Sequence, residues 1–163
     1  MQKVLILFLV ILYLSCSEKQ ANESPVPAAS FSLFDTDSVK YSLTDYNGRI
    51  VMIHFWADWC GSCRKEFPKI QQAYDKLKGE NFEILSVNTG QSVQHIKNIR
   101  DTYNLTFPLL VDEEKTIAAL YGVTGLPASY FINKNGQIVQ KVLGWIETEK
   151  VIEIVRKISN NKI

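Results

Sequence analysis

The sequence predicts an α/β fold, a central mixed sheet flanked by helices, with an N-terminal β-hairpin and an inserted βα segment. Three observations predict it. An apolar run at residues 50–56 feeds Trp59-Cys60-Gly61-Ser62-Cys63-Arg64, beyond which apolar residues recur at helical spacing. Strand-like and helix-like patterns then alternate as far as residue 121. Near the C-terminus, Lys134-Asn135-Gly136 stands between two short strand-like stretches, a strong hairpin signal. At 163 residues and 46% hydrophobic, the chain suits one compact domain with a real core.

The elements follow in order. Residues 31–34 and 39–43 read as two short strands joined by a turn at 35–38. Residues 44–47 suggest a helical turn stopped by Gly48. Residues 50–56 form the central strand, apolar enough to be buried on both faces. A long helix is expected over residues 60–78, with Phe67, Ile70, Tyr74 and Leu77 inward and a kink at Pro68. Residues 82–87 predict a second, parallel strand and 92–103 a helix with Ile96 and Ile99 inward. Residues 109–111 are short and extended, and 116–121 form a short helix stopped by Gly122. Strands at 129–132 and 137–143 flank the hairpin turn, and an amphipathic helix at 148–158 buries Val151, Ile154, Val155 and Ile158. No internal repeat is visible.

The N-terminus stands apart from the domain. Met1-Gln2-Lys3 is a short basic start, and residues 4–14 are almost wholly apolar. A bilayer-spanning helix needs about 20 apolar residues, so this run fits a secretory signal core better. Leu14-Ser15-Cys16 resembles a bacterial lipoprotein cleavage site with Cys16 as the lipidated residue, although Tyr13 occupies a place where Leu is usual. The division expected is therefore a signal segment at 1–16, a Ser-, Glu-, Asn- and Pro-containing tether at 17–30, and a domain at 31–163. An acylated cysteine anchors a chain to a membrane without crossing it. The formal charge of +1 gives no reason to expect nucleic acid.

Of three cysteines, one is then lipidated and two form the Cys60-x-x-Cys63 pair. A strand leading into a C-x-x-C that opens a helix is the layout of a thiol-disulfide exchange site. The helix's first turn leaves N–H groups unpaired and partially positive, which favours a thiolate at Cys60 below the usual thiol pKa of about 8.5. Cys63, three residues on, is placed to resolve a mixed disulfide. A zinc site needs about four ligands, and only His54 and His95 remain to supply them, without finger-like spacing. Neither a metal nor a cofactor is expected. Arg64 stands where a c-type haem attachment would need His.

The β-α-β-α, hairpin, α order, the stretch 54–68 (HFWADWCGSCRKEFP), Val87-Asn88-Thr89-Gly90 and Gly125-Leu126-Pro127 together resemble the TlpA/ResA-like branch of extracytoplasmic thioredoxins, from about residue 31 onward. The resemblance implies a thioredoxin-like fold and a membrane-tethered thiol-disulfide oxidoreductase in the bacterial envelope, on the periplasmic side. It implies a reductant of exported cysteine proteins such as apocytochrome c, supplied with electrons by a membrane thiol-disulfide carrier. A monomer is expected. A general periplasmic oxidant stays open as an alternative, as does, from another class, a copper-binding metallochaperone. The copper-binding relatives use a C-x-x-x-C pair and a distant His, and the spacing here is one residue shorter. A peroxidase fits less well, because Ala57 occupies the place of the Thr or Ser that precedes a peroxidatic Cys.

The resemblance also supplies roles. Glu66 matches a family Glu, one turn after Cys63, placed to exchange the proton of the resolving thiol; alternatively it is a solvated acid favoured by the helix dipole. Pro127 matches a proline that packs in cis opposite the cysteines, with the backbone of Leu126 open to an incoming chain. Trp59 is expected to cap the site and Trp56 to pack beneath it. His54 departs from the family, which places Asp or Asn there. It is either a proton relay or a neutral core histidine. His95 reads as a surface residue.

Overall fold

The computed structural model describes residues 25–163. The signal segment, the first part of the tether and Cys16 lie outside the described residues. A six-stranded mixed sheet runs in the order β1-β8-β7-β4-β5-β6. It is built from β1 (Val26–Pro27), β4 (Ile50–Trp56), β5 (Phe82–Thr89), β6 (Leu109–Asp112), β7 (Ala128–Ile132) and β8 (Gln137–Leu143). Strands β4, β5 and β6 are parallel, and β7, β8 and β1 continue the sheet antiparallel. The expected N-terminal hairpin is present as β2 (Ser32–Phe34) and β3 (Lys40–Ser42), followed by a 3-10 turn at Leu43–Tyr46. The helices are α1 (Gly61–Leu77), α2 (Val93–Tyr103), α3 (Thr116–Leu120) and α4 (Thr148–Ser159).

Every residue of β4 is buried. Ile50, Met52 and Trp56 face α1 and α4 and meet Phe67, Ile70, Val151 and Val155. Val51, Ile53 and Phe55 face the other way, toward Phe31, Leu43, Tyr121 and Tyr130. A strand covered on both sides cannot alternate polar and apolar residues, which is why residues 50–56 read as a continuous apolar run. His54 is the polar exception on the α1 side, and it is fully buried.

Two expectations are corrected. The tether was expected to continue to Ser30, but Val26 and Pro27 pair with Ile138 and Gln137 at the sheet edge, and Ala28 N–H bonds Gly136 O at 2.9 Å. A two-residue edge strand containing proline has no period to read, and an edge is where proline is tolerated. Helix α1 begins one residue later than expected: Cys60 is its N-cap, with extended backbone, and its sulfur accepts the Cys63 N–H at 3.2 Å. Helix α1 runs unbroken through Pro68.

The inserted segment is held by an acid the sequence reading did not single out. Lys115, at the start of α3, has φ 59° and makes no side-chain cap. The Asp112 carboxylate does the work instead, accepting from Ile117 N at 3.1 Å, Ala118 N at 2.9 Å and Thr116 Oγ1 at 3.1 Å. This satisfies N–H groups that a short helix otherwise leaves unpaired.

Candidate active site

The central strand delivers the chain to the site. β4 ends at Trp56, Ala57-Asp58-Trp59 turn the corner, and Cys60 caps α1. Cys60 and Cys63 are joined in a disulfide, with Cα atoms 5.3 Å apart. Cys60 keeps 5% of its surface exposed and Cys63 none, so an outside sulfur reaches Cys60 first. The Cys60 sulfur also lies 3.4 Å from Ser62 Oγ. Trp59, 69% exposed, stands beside the pair as an apolar flag, whereas Trp56 is buried and packs edge-on against Phe67 at 4.9 Å.

The Leu126–Pro127 peptide bond is cis. Leu126 is half-buried, and its N–H and C=O have no backbone partner among the described residues. An extended polypeptide can add to such an edge by main-chain hydrogen bonds. Beside it, a groove of about 360 Å³ is lined by Trp59, Lys115, Ala119, Val123 and Leu126, among others.

The corner before Cys60 is pinned by residues that sequence reasoning missed. Gln91 accepts from Asp58 N at 2.7 Å and from Asn88 Nδ2 at 2.8 Å, and its own amide donates to Asp58 Oδ1. His95 stays on the surface with Nδ1 3.4 Å from Asp58 Oδ2. The signal is the polar Asn88-Thr89-Gly90-Gln91 run at the end of an apolar strand, of which Val87-Asn88-Thr89-Gly90 entered only the family resemblance, without Gln91. Gln91→Ala is expected to lower stability by about 1–3 kcal/mol, because it strands the Asp58 N–H and a buried Asn88 donor; urea unfolding checks it.

Glu66 is fully buried, which removes the reading of a solvated acid. Its Oε2 accepts the N–H of Ile146, in the turn before α4, at 2.8 Å. Its Oε1 lies 3.2 Å from His54 Nε2. Desolvation pushes the Glu66 carboxyl up to about 8, against the lowering effect of the Ile146 hydrogen bond. Desolvation likewise pushes His54 down to about 3, so the ring is neutral at physiological pH. His54 Nδ1 meets Ser129 Oγ on β7 at 3.1 Å. Trp145 carries Lys69 over its ring at 4.6 Å, and Lys69 pairs with Glu147. The structure thus gathers Cys60, Cys63, Glu66, His54, Trp59, Leu126 and Pro127 at one end of the sheet, and adds Ile146, Ser129 and Gln91 to them.

Known proteins resemble this chain in sequence and fold. Residues 25–141 match the AhpC/TSA family. The chain is 32% identical over 143 residues to the thiol-disulfide oxidoreductase ResA of Bacillus cereus, covering 88% of this chain and 83% of that protein. It superposes with a TM-score of 0.77 on the thiol:disulfide interchange protein, a thioredoxin family protein, of Chlorobium tepidum, at 25% identity over 85% of this chain and 99% of that one. The exposed lipoprotein thioredoxin of Streptococcus pneumoniae aligns with a TM-score of 0.68 at 30% identity, over 79% of this chain and 99% of the other. With a buried cysteine pair at a helix mouth on a thioredoxin-like sheet, the chain belongs to the AhpC/TSA family and is a thiol-disulfide oxidoreductase of the ResA-like kind.

Proposed function

We propose that this oxidoreductase works outside the cytoplasm, tethered to the bacterial membrane through a lipid on Cys16, as a reductant of exported proteins whose cysteines have become oxidised, apocytochrome c among them. One observation supports the direction of electron flow: a buried acid, Glu66, follows Cys63 by one turn of α1, and among the described residues no lysine or arginine pairs with it. The helix mouth alone offers a thiolate about 0.3–1 kcal/mol. A strong oxidant needs its thiolate stabilised far more than that. The S. pneumoniae lipoprotein thioredoxin supports the tether.

The reaction runs as two exchanges. The Cys60 thiolate attacks one sulfur of the substrate disulfide, forming a mixed disulfide and expelling the other substrate sulfur as a thiolate. Cys63 then gives its proton to the Glu66 carboxylate and attacks Cys60. The Cys60–Cys63 bond forms, the mixed disulfide breaks, and the second substrate thiolate leaves. Two electrons pass from the pair to the substrate, and a membrane dithiol carrier restores them by the reverse sequence. Trp59 and Leu126 hold the incoming segment, the one by apolar contact and the other by its main chain, opposite Pro127.

The reduction potential tests direction. Equilibration with dithiol buffers is expected to give a value more negative than about −200 mV, whereas a value near about −120 mV would make the protein an oxidant. Cys63→Ala blocks the second exchange, so envelope proteins should accumulate on Cys60 as mixed disulfides; their identities name the substrates. Cys16→Ser should release the protein from the membrane fraction.

A further inference from the structure

His54 sits among several polar groups. From β7, Ser129 Oγ meets Nδ1 at 3.1 Å. From β5, Ser86 is its register partner and carries a buried hydroxyl without a hydrogen bond. From α1, Glu66 Oε1 stands 3.2 Å from Nε2, with Phe67 edge-on to the ring at 6.3 Å and Cys63 one turn before Glu66. From the turn before α4, the Ile146 N–H takes Glu66 Oε2. Lys69 on α1 and Glu147 before α4 pair with each other at the surface. In the disulfide-bonded state neither His54 Nε2 nor Glu66 Oε1 makes a well-aligned hydrogen bond, and both are buried. Buried polar atoms of this kind find partners, and the nearest one for each is the other.

The chemistry of the two ends is asymmetric. Glu66 Oε2 is already occupied by a donor, so a proton on the carboxyl belongs on Oε1, facing the ring. A carboxylic acid there donates and needs a bare Nε2; a carboxylate accepts and needs Nε2–H. At the other end Ser129 carries a hydroxyl, which donates and accepts with equal ease. Nδ1–H can donate to Ser129 Oγ while Nε2 accepts from Glu66. Alternatively, Ser129 O–H can donate to Nδ1 while Nε2–H donates to Glu66. Both patterns satisfy the ring and leave it uncharged, which full burial demands.

We propose that His54 is a positioning residue that changes tautomer with the protonation of Glu66, so that one neutral side chain holds both the acid and the carboxylate in the same place behind Cys63. The two states differ by one proton, lost to solvent when Glu66 ionises. His54 thereby lets a buried carboxyl titrate without the site rearranging, which deepens the role of Glu66 proposed above and rests on it. The residue types at 54 and 129 matter together: Ala at 129 would satisfy neither tautomer.

Nitrogen-15 NMR of the oxidised protein, labelled at histidine, tests this on the unmodified chain. His54 is expected as the Nδ1–H tautomer at pH 5 and the Nε2–H tautomer at pH 10, with a midpoint near the Glu66 value of about 8. In Glu66→Gln the tautomer should no longer respond to pH. A single tautomer throughout, a doubly protonated ring at neutral pH, or a switch that persists in Glu66→Gln would each overturn the proposal. The two readings separate cleanly. A tautomer switch with unchanged resolution kinetics in Glu66→Gln would sink the proton-acceptor role, whereas slowed kinetics with a fixed tautomer would sink only the role of His54.

Discussion

Cys60→Ala is expected to reduce exchange with protein disulfides to the uncatalysed background, while leaving the fold intact. The remaining sulfur, on Cys63, has no exposed surface, and its neighbours Trp56 and Phe67 are packed around the helix start. No outside disulfide reaches it in line. The contrast with Cys63→Ala is the informative part. That variant keeps the accessible sulfur and should perform the first exchange at a comparable rate, then stall. Insulin reduction followed by turbidity, with non-reducing gels beside it, reads both outcomes. If Cys60→Ala formed adducts through Cys63, the assignment of attacking and resolving sulfurs would be reversed; if Cys63→Ala formed none, a polypeptide substrate would be ruled against.

Glu66→Gln is the second change with a large expected effect, and it acts on both rate and stability. As proton acceptor, Glu66 must be ionised, so the resolving step should accelerate as pH rises through about 8. The amide cannot accept a proton, and resolution should slow by about 10²-fold, the low end for a positioned acid–base group. Rapid-mixing measurement of mixed-disulfide decay checks this.

The stability effect has a definite sign. A carboxyl raised from 4.5 to about 8 in the folded state binds a proton the unfolded chain has lost, so its stabilisation is complete below 4.5 and disappears as pH rises through 8. His54, lowered from 6.5 to about 3, contributes the opposite way: its stabilisation is present above 6.5 and disappears as pH falls through 3. The two slopes cancel between 4.5 and 6.5. Denaturant midpoints should therefore form a plateau there and fall on either side. Glu66→Gln should remove the alkaline fall and His54→Asn the acid one. If the alkaline limb keeps its slope in Glu66→Gln, the buried acid is not its source.

Much of this was legible because it is local. The continuous apolar run of β4, the Cys60 and Cys63 spacing, the α4 face of Val151, Ile154, Val155 and Ile158, and the Asn135-Gly136 turn are each written within about a dozen residues. The contacts that give the site its electrostatics are not. Ile146 reaches Glu66 across 80 positions and Ser129 reaches His54 across 75. Both depend on strand register and on where the β8–α4 turn lands, which no period encodes. Gln91 is hidden for the same reason: its partner Asp58 lies in a corner 33 residues away. Burial of Glu66 is equally unreadable from local sequence, since a carboxylate in a helix's opening turns is ordinarily solvated.

The small strand β1 has a geometric consequence. By pairing residues 26 and 27 with the sheet edge, it sets the length of chain between the folded body and Cys16, for which we propose a lipid, at about ten residues. A peptide of that length, drawn taut, covers no more than about 36 Å. With the proposed lipid in place, the folded body would patrol a thin shell above a bilayer, and proteins tethered within that radius would be met far more often than those diffusing freely beyond it.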